Sequence, residues 1–220
     1  MTTSRKAYGV FEGVEYYLIN QVKSILCYEN QQFNNALRKI LPAASERYLH
    51  CFTRKKGKYK PKHIYYHSDE YTSYLYFVAN ELWVQTSEPE YAEKLYMLNR
   101  FLNSVDIFYD RKMPEIFHLE HPIGAVIGRA EIGNYFVAHQ GVTVGGNMDL
   151  ELPVIGENVV LYTGSMVIGR CTIGDNCQIG AGVILMNEDV ELGSTVIAAE
   201  RKKCITSRRD FKSHFFNTSL

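Results

Sequence analysis

From Ile155 to Val190 every sixth residue is aliphatic: Ile155, Leu161, Val167, Ile173, Ile179 and Leu185 open six consecutive hexads. Four residues into the hexads stand Val159, Ser165, Cys171, Cys177 and Val183, all small or medium, before Asp189 ends the pattern. Glycine follows the aliphatic position in IGEN, IGDN and IGAG. A helix repeats its apolar face near every 3.6 residues and a half-buried strand alternates by two, so neither accounts for this rhythm. A period of six predicts a short extended stretch, a turn and another short stretch, wound into a prism whose turns stack. The aliphatic residue faces inward, the fourth after it must be small, and Gly or Asn at the corners accepts positive φ. Hexapeptide β-helices carry this signature.

The same spacing runs upstream through Val126, Ile132, Ala138 and Val144, with Ala130 and Val142 at the small site. Phe136 is oversized for that site, which predicts a distorted coil. Between Val144 and Ile155 the interval is eleven residues, not a multiple of six, so GGNMDLELP must loop out of the prism. Loops of this kind often carry function. Past Asp189 the period fails, and residues 200–220 read as a polar basic tail containing Arg201, Lys202, Lys203, Arg208, Arg209 and Lys212.

Residues 1–104 lack the hexad and read as a helical N-terminal domain, ahead of a β-helix domain over 105–199. Apolar periodicity predicts helices over Phe11–Glu29 and Gln31–Phe52, with Pro42 interrupting the second or starting a new turn. The stretch RKKGKYKPK from Arg54 to Lys62, with Gly57 and Pro61, predicts a solvated loop. Ser68 is expected to cap a helix with Asp69 and Glu70 in its first turn and Tyr71, Tyr74, Leu75, Val78 and Leu82 as its buried stripe. A capping box from Ser87 to Glu90, with Pro89 in the first turn, predicts another helix buried through Tyr91, Leu95, Leu98 and Leu102. The expected fold class is therefore α+β: helices first, then a parallel β-helix.

Composition narrows the function. Lys plus Arg number 24 and Asp plus Glu number 24, so no global field points to nucleic acid or an anionic membrane. The N-terminus MTTSRKAYGV has no apolar core of a signal peptide, and no stretch is apolar for long enough to span a bilayer. A soluble, cytoplasmic protein is expected. Its five cysteines fit no zinc spacing; Cys171 and Cys177 are expected to share the small inward site of adjacent coils, and no metal is expected.

Among possible chemical groups, His121 stands in LEHPIG beside Glu120, with Asp106 upstream in VDIFYD. A neutral imidazole removes a hydroxyl proton efficiently when a carboxylate fixes its tautomer and stabilises the cation. Asp106, Glu120 and His121 suit such a base, although an isolated His beside Glu and Pro at a domain junction is more often structural than catalytic.

From about His67 onward the chain resembles the serine acetyltransferases of the hexapeptide acyltransferase group. The resemblance rests on Asp106-Ile107, on Glu120-His121 with Gly124, on Val142-Thr143-Val144-Gly145-Gly146, and on the spacing from Asp106 to His121. It implies a left-handed β-helix, an exception to the right-handed crossover rule. It also implies a homotrimer, or a dimer of trimers, with acetyl-CoA in the groove between neighbouring coils. His121 becomes the general base, Asp106 its orienting carboxylate, and Glu120 replaces the family's aspartate beside the substrate. Gly146, Thr163, Gly164, Ala181 and Gly182 match positions where small residues let pantetheine approach the backbone, and Lys202 is the nearest cation for the CoA phosphates.

The chain also departs from that family. Where the family's looped insertion ends in Arg-His-Pro, this sequence has Glu151, Leu152 and Pro153. A carboxylate does not grip the carboxylate of free serine. Asp149 and Glu151 suit hydroxyls or an amine instead, and His139, expected to point outward after inward Ala138, is a candidate for the missing second histidine or for contact with the acceptor. Three readings follow: a serine O-acetyltransferase-like enzyme acting on serine or a related small acceptor, an O- or N-acetyltransferase of a sugar or sugar nucleotide, and a catalytically inactive trimeric scaffold.

Overall fold

The computed structural model describes residues 9–57, 61–198 and 211–217, and residues 203–206 in their backbone. The chain divides into two compact units: one of residues up to His50, from Lys58 to Ser104 and Phe108–Asp110, the other of Cys51–Gly57, Val105–Ile107 and the chain from Arg111 onward. Among the described residues no helix is long and apolar enough to cross a membrane.

In the first unit the helices are α1 (Val14–Leu26), α2 (Gln31–Phe52, which ends in the second unit), α3 (Ser68–Thr86) and α4 (Pro89–Asn103). Pro42 neither ends nor restarts α2. Leu37, Ile40, Leu41, Ala44 and Tyr48 are buried on either side of it, and their packing holds the helix through the one hydrogen bond a proline cannot make. α3 is buried at every position from Glu70 to Leu82, so its expected stripe is only part of a helix enclosed all round. Enclosure requires its polar groups to find partners. Tyr48 donates to Glu70 (3.0 Å), the Tyr74 and Ser45 hydroxyls pair (3.0 Å), and Asn80 donates to the Tyr109 carbonyl (2.7 Å).

Both expected N-caps are displaced. His67 holds the cap position of α3 without a side-chain bond, leaving Ser68 as the first helical residue. Ser87 closes α3 in the left-handed conformation (φ 53°) with its N–H on the Trp83 carbonyl, so Glu88 caps α4 and the capping box does not form. Leu95 and Leu98 of the expected α4 stripe are buried, but Leu102 is 41% exposed, and Ala92 and Asn99 complete the buried face.

The second unit is a left-handed parallel β-helix of about five turns. One face carries β1 (Asp106–Ile107), β3 (Val126–Ile127), β6 (Thr143–Gly145), β9 (Met166–Ile168) and β12 (Ile184–Met186). The second face carries β4 (Glu131–Ile132), β7 (Val154–Ile155) and β10 (Thr172–Ile173). On the third lie β2 (Phe117–Glu120), β5 (Phe136–His139), β8 (Val160–Leu161), β11 (Gln178–Ile179), β13 (Ser194–Ile197) and β14 (Lys203–Thr206). The six aliphatic hexad positions from Ile155 to Leu185 are all at most 2% exposed, and so are the five small ones beside them.

Three details of the sequence reading change. Val126 faces outward, 39% exposed, and Ile127 takes the inward place at 1%. Ile127 and Ile132 are five residues apart, so this corner is a residue short and the inward place moves from Val126 to Ile127. Cys171 and Cys177 lie at successive corners of one coil, because a coil advances eighteen residues, from Ile155 to its rung partner Ile173. Each cysteine is buried and turned toward carbonyl oxygens, those of Ile168 and Glu191 among them.

The winding also continues beyond Asp189. Val190 bridges to Ile173, and Val196 pairs beside Ile179 with 4% exposure. β14 then returns antiparallel to β13, and a short helix α5 (Lys212–Phe215) follows. Phe211, Phe215 and Phe216 pack on Ile116, Val137 and Val160, the outward side chains of the third face. The stretch read as a polar tail thus conceals an apolar strap over that sheet.

Candidate active site

The corner leading from the third face to the first is built from Gly124, Gly141, Gly164 and Gly182, one per coil, with φ between 66° and 74°. Side chains are disfavoured in that conformation, so this edge of the rod is bare backbone. At its upper end the glycines stack in ordinary contact: a Cβ on Gly124 would lie 3.9 Å from Gly141 Cα and one on Gly141 3.6 Å from Gly164 Cα. At Gly164 and Gly182 an added Cβ meets nothing within 4 Å, and their neighbours Thr163 and Ala181 are exposed. The four small residues read as cofactor-binding on this edge therefore line one open strip. Gly146 lies apart, at the start of the looped insertion.

His121 crowns this edge. Glu120 and Val126, which bound its corner, are six residues apart, whereas their rung partners His139 and Thr143 are four apart. The two extra residues widen the turn, which is held by the Ile123 N–H on the His121 carbonyl (2.7 Å) and the Ala125 N–H on the Pro122 carbonyl (2.9 Å). His121 itself takes φ 48°, and its side chain stands 71% exposed. Asp106 occupies the rung above Val126, its N–H bonded to the carbonyl of Ala125 at the end of the same corner (2.9 Å). Ile107 beside it is inward, so Asp106 is on the outer surface of the first face.

Glu120 lies between two imidazoles. One carboxylate oxygen is hydrogen-bonded to Nε2 of His118, and the other stands 3.7 Å from Nε2 of His121. His118 is buried, and residue type alone does not single it out. The signal for it was strand alternation, which puts residues two apart on β2 on the same side of the sheet. His139, beside Glu120 on the next rung, faces outward as expected; it stacks on Tyr162 (5.1 Å between centroids) and meets Phe215 edge-on (6.2 Å).

The insertion closes on itself around Asn147. Its side-chain oxygen accepts the N–H groups of Asp149 and Glu151 (both 3.0 Å), and its amide donates to the Glu151 carboxylate (2.8 Å). Glu151 is thereby tied into its own loop, whereas Met148 and Leu150 are 99% and 79% exposed. Lys202 lies outside the described residues. Among the described residues no group of three or more His, Cys, Asp or Glu side chains is placed to hold a metal ion.

Comparison with known proteins gives this geometry a setting. The family described as bacterial transferase hexapeptide (six repeats) matches residues 153–187. A serine acetyltransferase of Helicobacter pylori strain J99 is 32% identical over 121 residues, covering 53% of this chain and 70% of that protein. The chain belongs to the serine acetyltransferase family. Among solved serine acetyltransferases, that of Brucella abortus superposes with a TM-score of 0.67 at 19% identity, covering 91% of this chain and 88% of its own. Another, solved as a complex with CoA, has a TM-score of 0.64 at 19% identity and covers 87% of this chain and 82% of its own. These two likenesses are of fold. Against the pattern expected of serine acetyltransferases, Glu151-Leu152-Pro153 stays exceptional, and no guanidinium replaces the missing one within this loop.

Proposed function

We propose that the protein transfers an acetyl group from acetyl-CoA to a hydroxyl of serine or a related small acceptor. The observation that carries this reading is His121 standing exposed at the head of the bare glycine edge. With pantetheine along Thr163, Gly164, Ala181 and Gly182, the thioester comes to the end of the strip where His121 projects. His121 takes the acceptor's hydroxyl proton as the oxygen attacks the thioester carbonyl. The carbon–sulfur bond then breaks, and the imidazolium returns its proton to the CoA thiolate. Asp106 and Glu120 supply negative charge beside the imidazolium.

The assembly proposed for this chemistry is a homotrimer. Its support is the first face, where Val126 on β3 and Ile184 and Met186 on β12 are exposed and Met166 and Ile168 on β9 between them are half-buried, apolar surface of the kind that marks protein contacts. The acceptor is the point at which a second reading competes. Glu151, held by Asn147, favours an acceptor without a carboxylate, such as an amine or a sugar hydroxyl. Thiol release from acetyl-CoA, measured with serine and with a panel of sugars and amino sugars, decides between them. Release with serine supports the first reading, release only with sugars the second, and none with any acceptor leaves a trimeric scaffold.

A further inference from the structure

The pairing of His118 with Glu120 is not accounted for by the reaction as described. On β2, Phe117 and Leu119 are turned into the rod (0% and 1% exposed), so His118 and Glu120 share the outer side. The His118 side chain is only 2% exposed and is packed against the Phe215 ring (6.3 Å between centroids), while Glu120 is 24% exposed. An ionised carboxylate only accepts, so Nε2 of His118 carries the donated proton. Burial fixes the imidazole, the imidazole fixes one carboxylate oxygen, and the second oxygen is left toward His121.

We propose that His118 is a positioning residue of the acyl-transfer site, which holds the Glu120 carboxylate toward His121. This rests on the reading of His121 as the base. Glutamate is one methylene longer than the aspartate implied by the family resemblance, and an added rotatable bond spreads a partly exposed carboxylate over more rotamers. A buried donor two residues away on the same strand removes that freedom. The strap supplies the lid over this donor through Phe215, which also meets His139, so α5 serves the site without touching substrate.

The test compares His118→Leu, His118→Asn and His118→Gln in the full-length protein. Gln can extend an N–H to about where Nε2 lies; Asn is polar but too short, and Leu has no donor. The inference predicts that Leu and Asn lower kcat about tenfold with the KM for acetyl-CoA unchanged, and that Gln restores most of the loss. In a Glu120→Gln background the same substitutions should add little, because they act through the carboxylate. Wild-type kcat in Asn or Leu, an equal loss in Gln, or undiminished effects in the Glu120→Gln background would overturn it. If Leu does not fold, Asn against Gln decides alone. His121→Ala is measured beside them: normal turnover there removes the base itself, whereas a dead His121→Ala with a fully active His118→Asn removes only the positioning role.

Discussion

Gly164→Asn separates the two demands on the glycine edge, folding and binding. Gly164 has φ 66°, and Asn158, Asn176 and Asn187 already hold φ 55–58° at other corners, so asparagine is compatible with the backbone. The folding cost should stay within about 1 kcal/mol, a shift of roughly 2–4 °C in Tm for a chain of this size. No atom lies within 4 Å of an added Cβ at this position, so the new side chain projects into the open strip rather than into the rod. Pantetheine displaced from the strip loses one or two amide hydrogen bonds of about 1 kcal/mol each, which raises the KM for acetyl-CoA roughly five- to thirty-fold. Thiol-release kinetics with a melting curve on the same sample measure both quantities. Asn176→Gly, at a different corner, serves as control and should leave that KM unchanged, though it forfeits the bond that Asn176 accepts from Asn158 (2.8 Å). A folded Gly164→Asn enzyme with wild-type KM refutes the placement of the cofactor on this edge.

Other consequences are independent of it. His121→Ala should lower kcat/KM on the order of a hundred-fold or more, as loss of a general base does, with an unaltered circular dichroism spectrum. Leu161→Ala empties a fully buried hexad position and should cost about 2–5 kcal/mol in chemical denaturation, with no part of that loss recovered by adding CoA beyond ordinary ligand linkage. Ile184→Lys with Met186→Glu should convert a trimer to monomers in light scattering, since both side chains are exposed on the proposed contact face. Burial raises the Tyr74 hydroxyl pKa above its ordinary value, against a smaller lowering by Ser45. The unfolded chain therefore loses this proton first, so the contribution of Tyr74 to stability is constant below about pH 10 and falls as pH rises further. Tyr74→Phe should weaken the fold at neutral pH yet flatten that alkaline decline.

What could be read in the sequence follows from how far each signal reaches. The hexad rhythm is a local repeat, and burying an aliphatic side chain at each inward site lets all three faces of the rod be traced from Ile155 to Leu185 without structure. One missing residue at the corner after Ile127 is enough to shift the register, and for that reason the hexad spacing points to Val126 where Ile127 is the core residue. Ser87 misled because two helices compete for it: the end of α3 takes it in the left-handed conformation before α4 can use it as a cap. The strap was hidden because Phe211, Phe215 and Phe216 are scattered among lysines and arginines, and only the outer faces of Val137 and Val160 give them somewhere to go. In the site, His121, Glu120 and Asp106 stood out as residue types in a motif. His118 did not, since its role arises from the alternation of a strand and from burial under a segment almost a hundred residues later.

A crystal structure of the protein with CoA bound tests the central claim most directly. The account predicts the pantetheine arm lying along Thr163, Gly164, Ala181 and Gly182, with the sulfur at the end of the strip beside His121. CoA seated on another edge of the rod, or with its sulfur remote from every His121 in the assembly, would contradict it.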